Sequence, residues 1–190
     1  MTTAVNTNLR WTSADLDAFP NNGKRYEIID GELYVSKQPH WHHQNACTNV
    51  LLLLKNWSLQ SGFGTANMAP GLIFTDDNDV APDVVWISNE RMKTALEDDG
   101  KLHSAPELVV EVVSRGFENE RRDREIKLKL YSRRGVSEYW IADWFNEKIE
   151  VFRRENAELK LVATLFSDDM LKSPLLPEFS CQVAEIFAGV

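Results

Sequence analysis

The sequence predicts an α/β fold: a mixed central sheet flanked by helices, with a β-hairpin near the N-terminus. Three observations carry this expectation. An apolar run, Leu108–Val113, precedes a helical pattern over Asn119–Arg134 and a second apolar run, Glu138–Ala142, which is the order of a βαβ crossover. Arg25–Ile29 and Glu32–Val35 flank Asp30-Gly31, a dipeptide that favours a two-residue hairpin turn. Ala46, Val50, Leu53, Leu54 and Trp57 recur at helical spacing.

Taken in order, Thr12 or Ser13 caps a short helix over Ala14–Phe19, which Pro20 and the Asn21-Asn22-Gly23 turn stop. After the hairpin, a long helix runs from His42 or His43 to Gln60, and Gly62 and Gly64 end it. Gly71–Phe74 is a short strand. Asp76-Asp77-Asn78-Asp79 reads as a turn, since it lacks the glycine and terminal glutamate of a calcium loop. Asp83–Ile87 is a strand entered from Pro82, where a missing amide donor does no harm. Arg91–Glu97 forms a short helix before a loop over Asp98–Ala105. Leu108–Val113 is apolar on both faces, the signature of a strand covered on both sides. The basic helix Asn119–Arg134 follows, with Gly135 as its C′ residue. Glu138–Ala142 and Lys148–Arg153 flank a turn at Asp143–Glu147, and Leu159–Leu165 extends the sheet. Past Pro174 and Pro177, Ala184–Phe187 is a short helix. Residues 12–190 are expected to form one domain, preceded by a flexible polar segment over 1–11.

Composition bounds the function. With 43% hydrophobic and 26% charged residues in 190, the chain is ordinary globular material and outside the disordered class. Its longest apolar run, around Val50–Leu54, is far too short for a membrane span, and the N-terminus lacks a signal-peptide layout. Cys47 and Cys181 lie far apart without metal-type spacing, which fits a reduced, cytoplasmic protein. A net charge of −8 excludes a general nucleic-acid coat. It leaves room for a local basic site: residues 115–134 hold eight Lys and Arg against four acids, a local balance of +4.

The chemistry sits in and beside that segment. Glu111 interrupts a run that should be buried on both sides, so its carboxylate needs a cation or a metal to stay charged. At 100° per residue, Lys127 falls inside the apolar arc shared by Ile126, Leu130 and Tyr131, whereas Lys129 is solvated. A helix that follows a buried strand packs back on the sheet, which brings Lys127 toward Glu111. Asp123 lies one turn before Lys127 and can pair with it. Asp83 stands at the mouth of the other apolar strand. Singly, these residues read as an ion pair and a turn cap. Together they suit a divalent-metal site in which Asp83 and Glu111 offer hard oxygen ligands to Mg²⁺ (or Mn²⁺), and Lys127 positions a water or acts as a point charge on a phosphodiester.

Other constellations are weaker. His40, His42 and His43 have the wrong regularity for a structural zinc finger and read as a loop and helix cap, with His43 reaching the site. There is no Gly-rich phosphate loop, no GxSxG and no usable Cys–His pair. Trp86, Trp140, Trp144 and Phe145 read as core or interface aromatics rather than a base-stacking platform. Exposure of the Trp144-Phe145 pair at a hairpin turn would suit a two-fold dimer.

The blocks RYEIIDGELY, the His-Gln of the long helix, APDVVWIS, PELVVEVVS and RRDREIKLKLYSRRGVSEYWIAD follow one another as in a large bacterial family. Over about Thr12–Phe152 the chain resembles the Uma-type family of restriction-endonuclease-like proteins, a branch of the PD-(D/E)xK nuclease superfamily. The resemblance implies a restriction-endonuclease-like fold and a metal-dependent DNA endonuclease, with DNA as substrate and a homodimer suited to duplex cleavage. It also implies Asp83 as the motif aspartate and Glu111 as the acid of (D/E)xK. Val113 stands where the superfamily usually has lysine, and Lys127 is the position that fits a lysine relocated to the following helix. Glu27, Glu32 or His43 is the expected further polar residue from the early elements, and Arg121, Arg122 and Arg124 are expected to touch DNA weakly. The alternative is an inactive nuclease-like scaffold that binds nucleic acid or regulates, with the buried charges purely structural.

Overall fold

The computed structural model describes residues 9–189. Along the chain run α1 (Ser13–Leu16), β1 (Arg25–Ile29), β2 (Glu32–Ser36), α2 (Trp41–Ser61), β3 (Gly64–Met68), β4 (Leu72–Thr75), β5 (Asn78–Val80), β6 (Val84–Ser88), α3 (Asn89–Ala95) and β7 (Leu108–Val112). Then come α4 (Phe117–Arg121), a π-helical segment (Arg122–Lys127), α5 (Leu128–Arg134), β8 (Glu138–Asp143), β9 (Lys148–Glu155), β10 (Glu158–Phe166), β11 (Met170–Lys172), β12 (Ser180–Gln182) and α6 (Val183–Ile186). Among the described residues, no helix is long and apolar enough to cross a membrane.

The central sheet has six strands in the order β10-β9-β8-β7-β6-β3. Only β7 and β8 pair in parallel, joined by the helical crossover; the other neighbours are antiparallel. Both middle strands are buried along their whole length. Period-two alternation in β7 divides the core. Leu108, Val110 and Val112 join the apolar cluster under α2 and α6, with Ala46, Val50 and Leu54. Val109 and Val113 join the opposite cluster, with Leu130, Tyr131 and residues of a second sheet, β2-β1-β5-β4. Glu111 shares the parity of Val109 and therefore faces that second layer.

The hairpin β1–β2 pairs Ile29 with Glu32 across Asp30-Gly31, both with positive φ (51° and 76°), as a type I′ turn requires. Of the N-terminal segment, residues 1–8 lie outside the described residues. Trp11 donates its amide to the Gly31 carbonyl, and Arg10 reaches the Asp30 carbonyl and Asp77.

Four features depart from expectation. Gly64 does not merely end α2: it opens β3, where a Cβ would lie 2.3 Å from the Ile87 carbonyl oxygen, so only glycine lets β3 approach β6 there. The polar turn at Asp76–Asp79 is half strand, since Asn78 and Asp79 are buried in β5 against β1 and β4. Expected as one α-helix, Asn119–Arg134 instead carries a π segment at its centre. Asp123 and Lys127 are buried in this segment, while Ile126, at the edge of the apolar arc, is half-exposed. The small pair β11–β12 was also not anticipated.

Candidate active site

Strand register sets the carboxylates. β6 and β7 pair Val84 with Val110 and Val85 with Val109, and one further step along the same register places Asp83 opposite Glu111. Both residues line one cleft of about 760 Å³ between the β1–β2 hairpin, the start of α2 and the loop after β7.

Asp83 is 4% exposed and fully partnered. Its Oδ1 accepts from Arg25 Nη1 at 2.9 Å, and its Oδ2 accepts from the Val112 amide at 2.9 Å, with His43 Nε2 at 3.2 Å. Burial alone would raise its pKa. The bond and charge of His43 and the charge of Arg25 outweigh burial and hold the carboxyl below the usual carboxylate range. His43 is correspondingly raised: burial opposes its protonation, and the bond to Asp83 overcomes that.

Glu111, 1% exposed, accepts from Lys127 Nζ at 2.9 Å and from Tyr131 Oη at 2.8 Å, both at Oε1. Burial dominates here. Against the pull of Lys127, desolvation and the nearby Asp83, Asp123 and Glu27 push its pKa up to about 8. Lys127 is itself only 1% exposed and sits between two acids, its Nζ also 2.9 Å from Glu27 Oε1. Burial would strip its proton, but Glu111, Glu27 and Asp123 overrule it and raise the ammonium above its ordinary value. For Glu27, burial is likewise overcome, by Lys127 and Arg122, and its pKa is lowered. Its Oε1 also accepts the Ala81 amide, while its Oε2 is buried without a hydrogen-bond partner among the described residues. Asp123 pairs with Arg122 at 3.0 Å, and burial keeps its pKa raised.

Four carboxylates (Glu27, Asp83, Glu111, Asp123) thus share three permanent cations (Arg25, Arg122, Lys127). A protonated His43 would close the count, as would the extra proton on Glu111. Such a cluster keeps its acids close to ionisation balance.

The structure brings Asp83, Glu111, Lys127 and His43 together and, of the early acids, places Glu27 against Lys127. Glu32 lies elsewhere: it is exposed on β2, bonded by Tyr34, on the far side of the hairpin. Of the three arginines, Arg122 lines the cleft and donates to Ser36 Oγ at 2.6 Å. Arg121 is exposed beside Glu125 and lines a different depression, and Arg124 is held by Asp143 and Glu150. Lys127 is not among the cleft-lining residues; its ammonium lies behind Glu111, and Glu111 itself reaches the cleft.

Sequence reasoning missed the rest of the cleft's charge. Lys24, Arg25 and Lys37 flank the hairpin and, with Arg115 and Arg122 of the expected basic segment, make five cations around two acids. Only the position of the first three beside the hairpin, which folds over the site, could have announced them. Trp86 and Trp140 are core residues, whereas Trp144 lines the cleft and Phe145 is 57% exposed, with the Arg115 guanidinium 3.4 Å above its ring. A Cys–His pair does exist: Cys47 Sγ lies 3.6 Å from His43 Nδ1, one helical turn away in α2.

Residues 13–184 match the model of the Uma2 family, whose description is "Putative restriction endonuclease". No curated protein matches the sequence. Among solved structures, a "putative nuclease belonging to DUF820" from Anabaena variabilis ATCC 29413 superposes with a TM-score of 0.74 at 16% identity, over 93% of this chain and 97% of that one. At that identity the likeness establishes the fold. The type IIG restriction endonuclease BpuSI gives a TM-score of 0.41 at 19% identity, over 77% of this chain and 15% of its own length.

Proposed function

From the premise that this chain belongs to the Uma2 family of the description above, we propose that it is a metal-dependent DNA endonuclease working in the hairpin cleft. The observation that carries this reading is the antiparallel register that sets Asp83 opposite Glu111 on the cleft wall. The donor set fits Mg²⁺ or Mn²⁺: hard carboxylate oxygens, one more carboxylate than permanent cation, and a buried Glu27 oxygen left without a partner among the described residues. Asp83 and Glu111 would hold the ion. When bound, it supplies charge neutralisation at the phosphate and a more acidic water.

The remaining work belongs to the chain's own residues. Lys127, locked between Glu27 and Glu111, aims the Glu111 carboxylate at the cleft and keeps positive charge directly behind it. Its position favours acting through Glu111 over touching phosphate. Arg25 and His43 fix Asp83, so neither carboxylate must reorganise when substrate arrives. Lys24, Lys37, Arg115 and Arg122 attract the DNA backbone into the cleft.

The test is cleavage of duplex, single-stranded and branched DNA with Mg²⁺ or Mn²⁺, alongside Mn²⁺ binding. Asp83→Asn keeps the side chain's shape and is expected to abolish both cleavage and Mn²⁺ binding. Wild-type protein that binds no Mn²⁺ and cuts nothing would sink the proposal. One observation favours a second reading, a nuclease-like scaffold that binds nucleic acid without cutting it: both Asp83 oxygens already have protein partners. Under that reading DNA still binds the cleft, but Mn²⁺ does not. We also carry the two-fold dimer as part of the proposal, through the turn that exposes Phe145; light scattering is expected to give twice the 21.7 kDa chain mass.

A further inference from the structure

Beside the proposed hard-metal site lies a donor set of different chemistry, and we propose that His43, Cys47 and Asp83 form a binding site for a soft divalent cation of the Zn²⁺ class. His43 and Cys47 are four residues apart in α2, so they project from the same helix face, and Asp83 meets them from the start of β6. One ligand atom from each can be chosen so that all lie within 4.8 Å of one another, and all three residues are buried. Asp83 Oδ1 is taken by Arg25, and Oδ2 accepts the Val112 amide and lies 3.2 Å from His43 Nε2, so an ion here replaces the direct His43–Asp83 contact. His43 Nδ1 also has Gln44 Oε1 at 3.3 Å. His43 and Asp83 both line the cleft, which leaves a fourth position open to water.

The choice of metal follows from the donors. Thiolate and imidazole select Zn²⁺, or Co²⁺ as its spectroscopic stand-in, over Mg²⁺, which prefers oxygen alone. The thiol is the gate: burial, then the negative charges of Asp83 and Glu111, keep Cys47 protonated, so an ion must displace that proton on binding. Asp83 is common to both sites. A soft ion held by Cys47 and His43 therefore withdraws Asp83 from the Mg²⁺ site; this consequence alone rests on the nuclease reading.

The experiment adds Co²⁺ to the full chain at neutral pH and follows near-ultraviolet absorption. The expected result is a thiolate-to-Co²⁺ charge-transfer band saturating at one ion per chain, lost in Cys47→Ser and kept in Cys181→Ser. No band in the wild type overturns the site, as does a band that survives Cys47→Ser or vanishes with Cys181→Ser. Cys47→Ala replaces the serine variant if circular dichroism shows that variant misfolded, and the wild-type spectrum decides in any case. If the protein cuts DNA, Zn²⁺ is expected to arrest Mg²⁺-dependent cleavage, and Cys47→Ser to need about tenfold more Zn²⁺ or beyond for the same arrest, since loss of even an outer partner costs that much affinity. Equal Zn²⁺ sensitivity in the two proteins overturns the competition. A protein that gives the band but cuts no DNA keeps this site and loses the nuclease reading.

Discussion

In the metal-free protein Glu111, like Asp123, is an acid whose pKa burial raises. Its folded pKa, about 8, stands above the ordinary 4.5 of a glutamate, because burial and three neighbouring carboxylates disfavour its charge. A raised carboxyl stabilises the fold fully below the unfolded pKa and loses that contribution as pH climbs through the folded one. Asp83 and Glu27 act in the opposite sense: their pKa values are lowered, so their contribution is present above the ordinary carboxylate range and lost in acid. Metal-free wild type should therefore be most stable near about pH 5 and weaken toward about pH 8, by at most about 1.4 kcal/mol per pH unit for this one group. Glu111→Gln mimics the protonated acid and should flatten the decline; urea midpoints across that range check it. An unchanged slope in the variant would show that Glu111 does not carry the proton. Saturating Mn²⁺ should also remove the decline in wild type, since the ion replaces the proton.

At the scale of elements, the helix wheel found Lys127 and could not find the winding around it. Nothing in Arg122–Lys127 announces a π turn, because the segment is a good α-helix former by composition, and the α-helical wheel already turns both Asp123 and Lys127 inward. The hairpin was legible from Asp30-Gly31 alone, yet the inward acid was not. Glu27 and Glu32 are both glutamates in alternating strands, and only docking of β1 on β5 shows that Glu27 turns inward while Glu32 faces water. β5 itself escaped because Asn78 and Asp79 look like turn residues; the burial of Asn78 is met by Thr75, Asp77 and the Asp30 amide instead of by apolar packing, and Asp79 faces the Lys101 ammonium at 3.9 Å. β3 escaped because Gly64 reads as a helix stop. Gly64→Ala tests its real role: with the Ile87 carbonyl 2.3 Å from the added carbon, β3 must shift, and a loss of about 1–3 kcal/mol is expected in denaturant unfolding. A neutral variant would mean that β3 can slide at no cost.

The whole molecule is acidic, at −8, but its cleft is not: five Lys and Arg line it with two acids. DNA affinity should then be weak and steeply dependent on salt, falling in log–log terms by roughly 0.9 per phosphate neutralised. Lys24→Ala with Lys37→Ala should lower affinity and flatten that slope, while leaving Mn²⁺ binding intact; fluorescence anisotropy at several salt concentrations checks this, and an unchanged slope would place the DNA elsewhere. The ion triad Glu27–Lys127–Glu111 has a separate consequence, for how the chain folds. It joins a hairpin near residue 27 to a helix near residue 127, so its closure brings together segments about a hundred residues apart. No fragment holding β7 and its crossover helix alone can assemble it. The pocket should be a late event in refolding, appearing together with docking of the second sheet on the first. Slow exchange of the Val112 amide, which ends on Asp83, should therefore be lost only by global opening of the molecule.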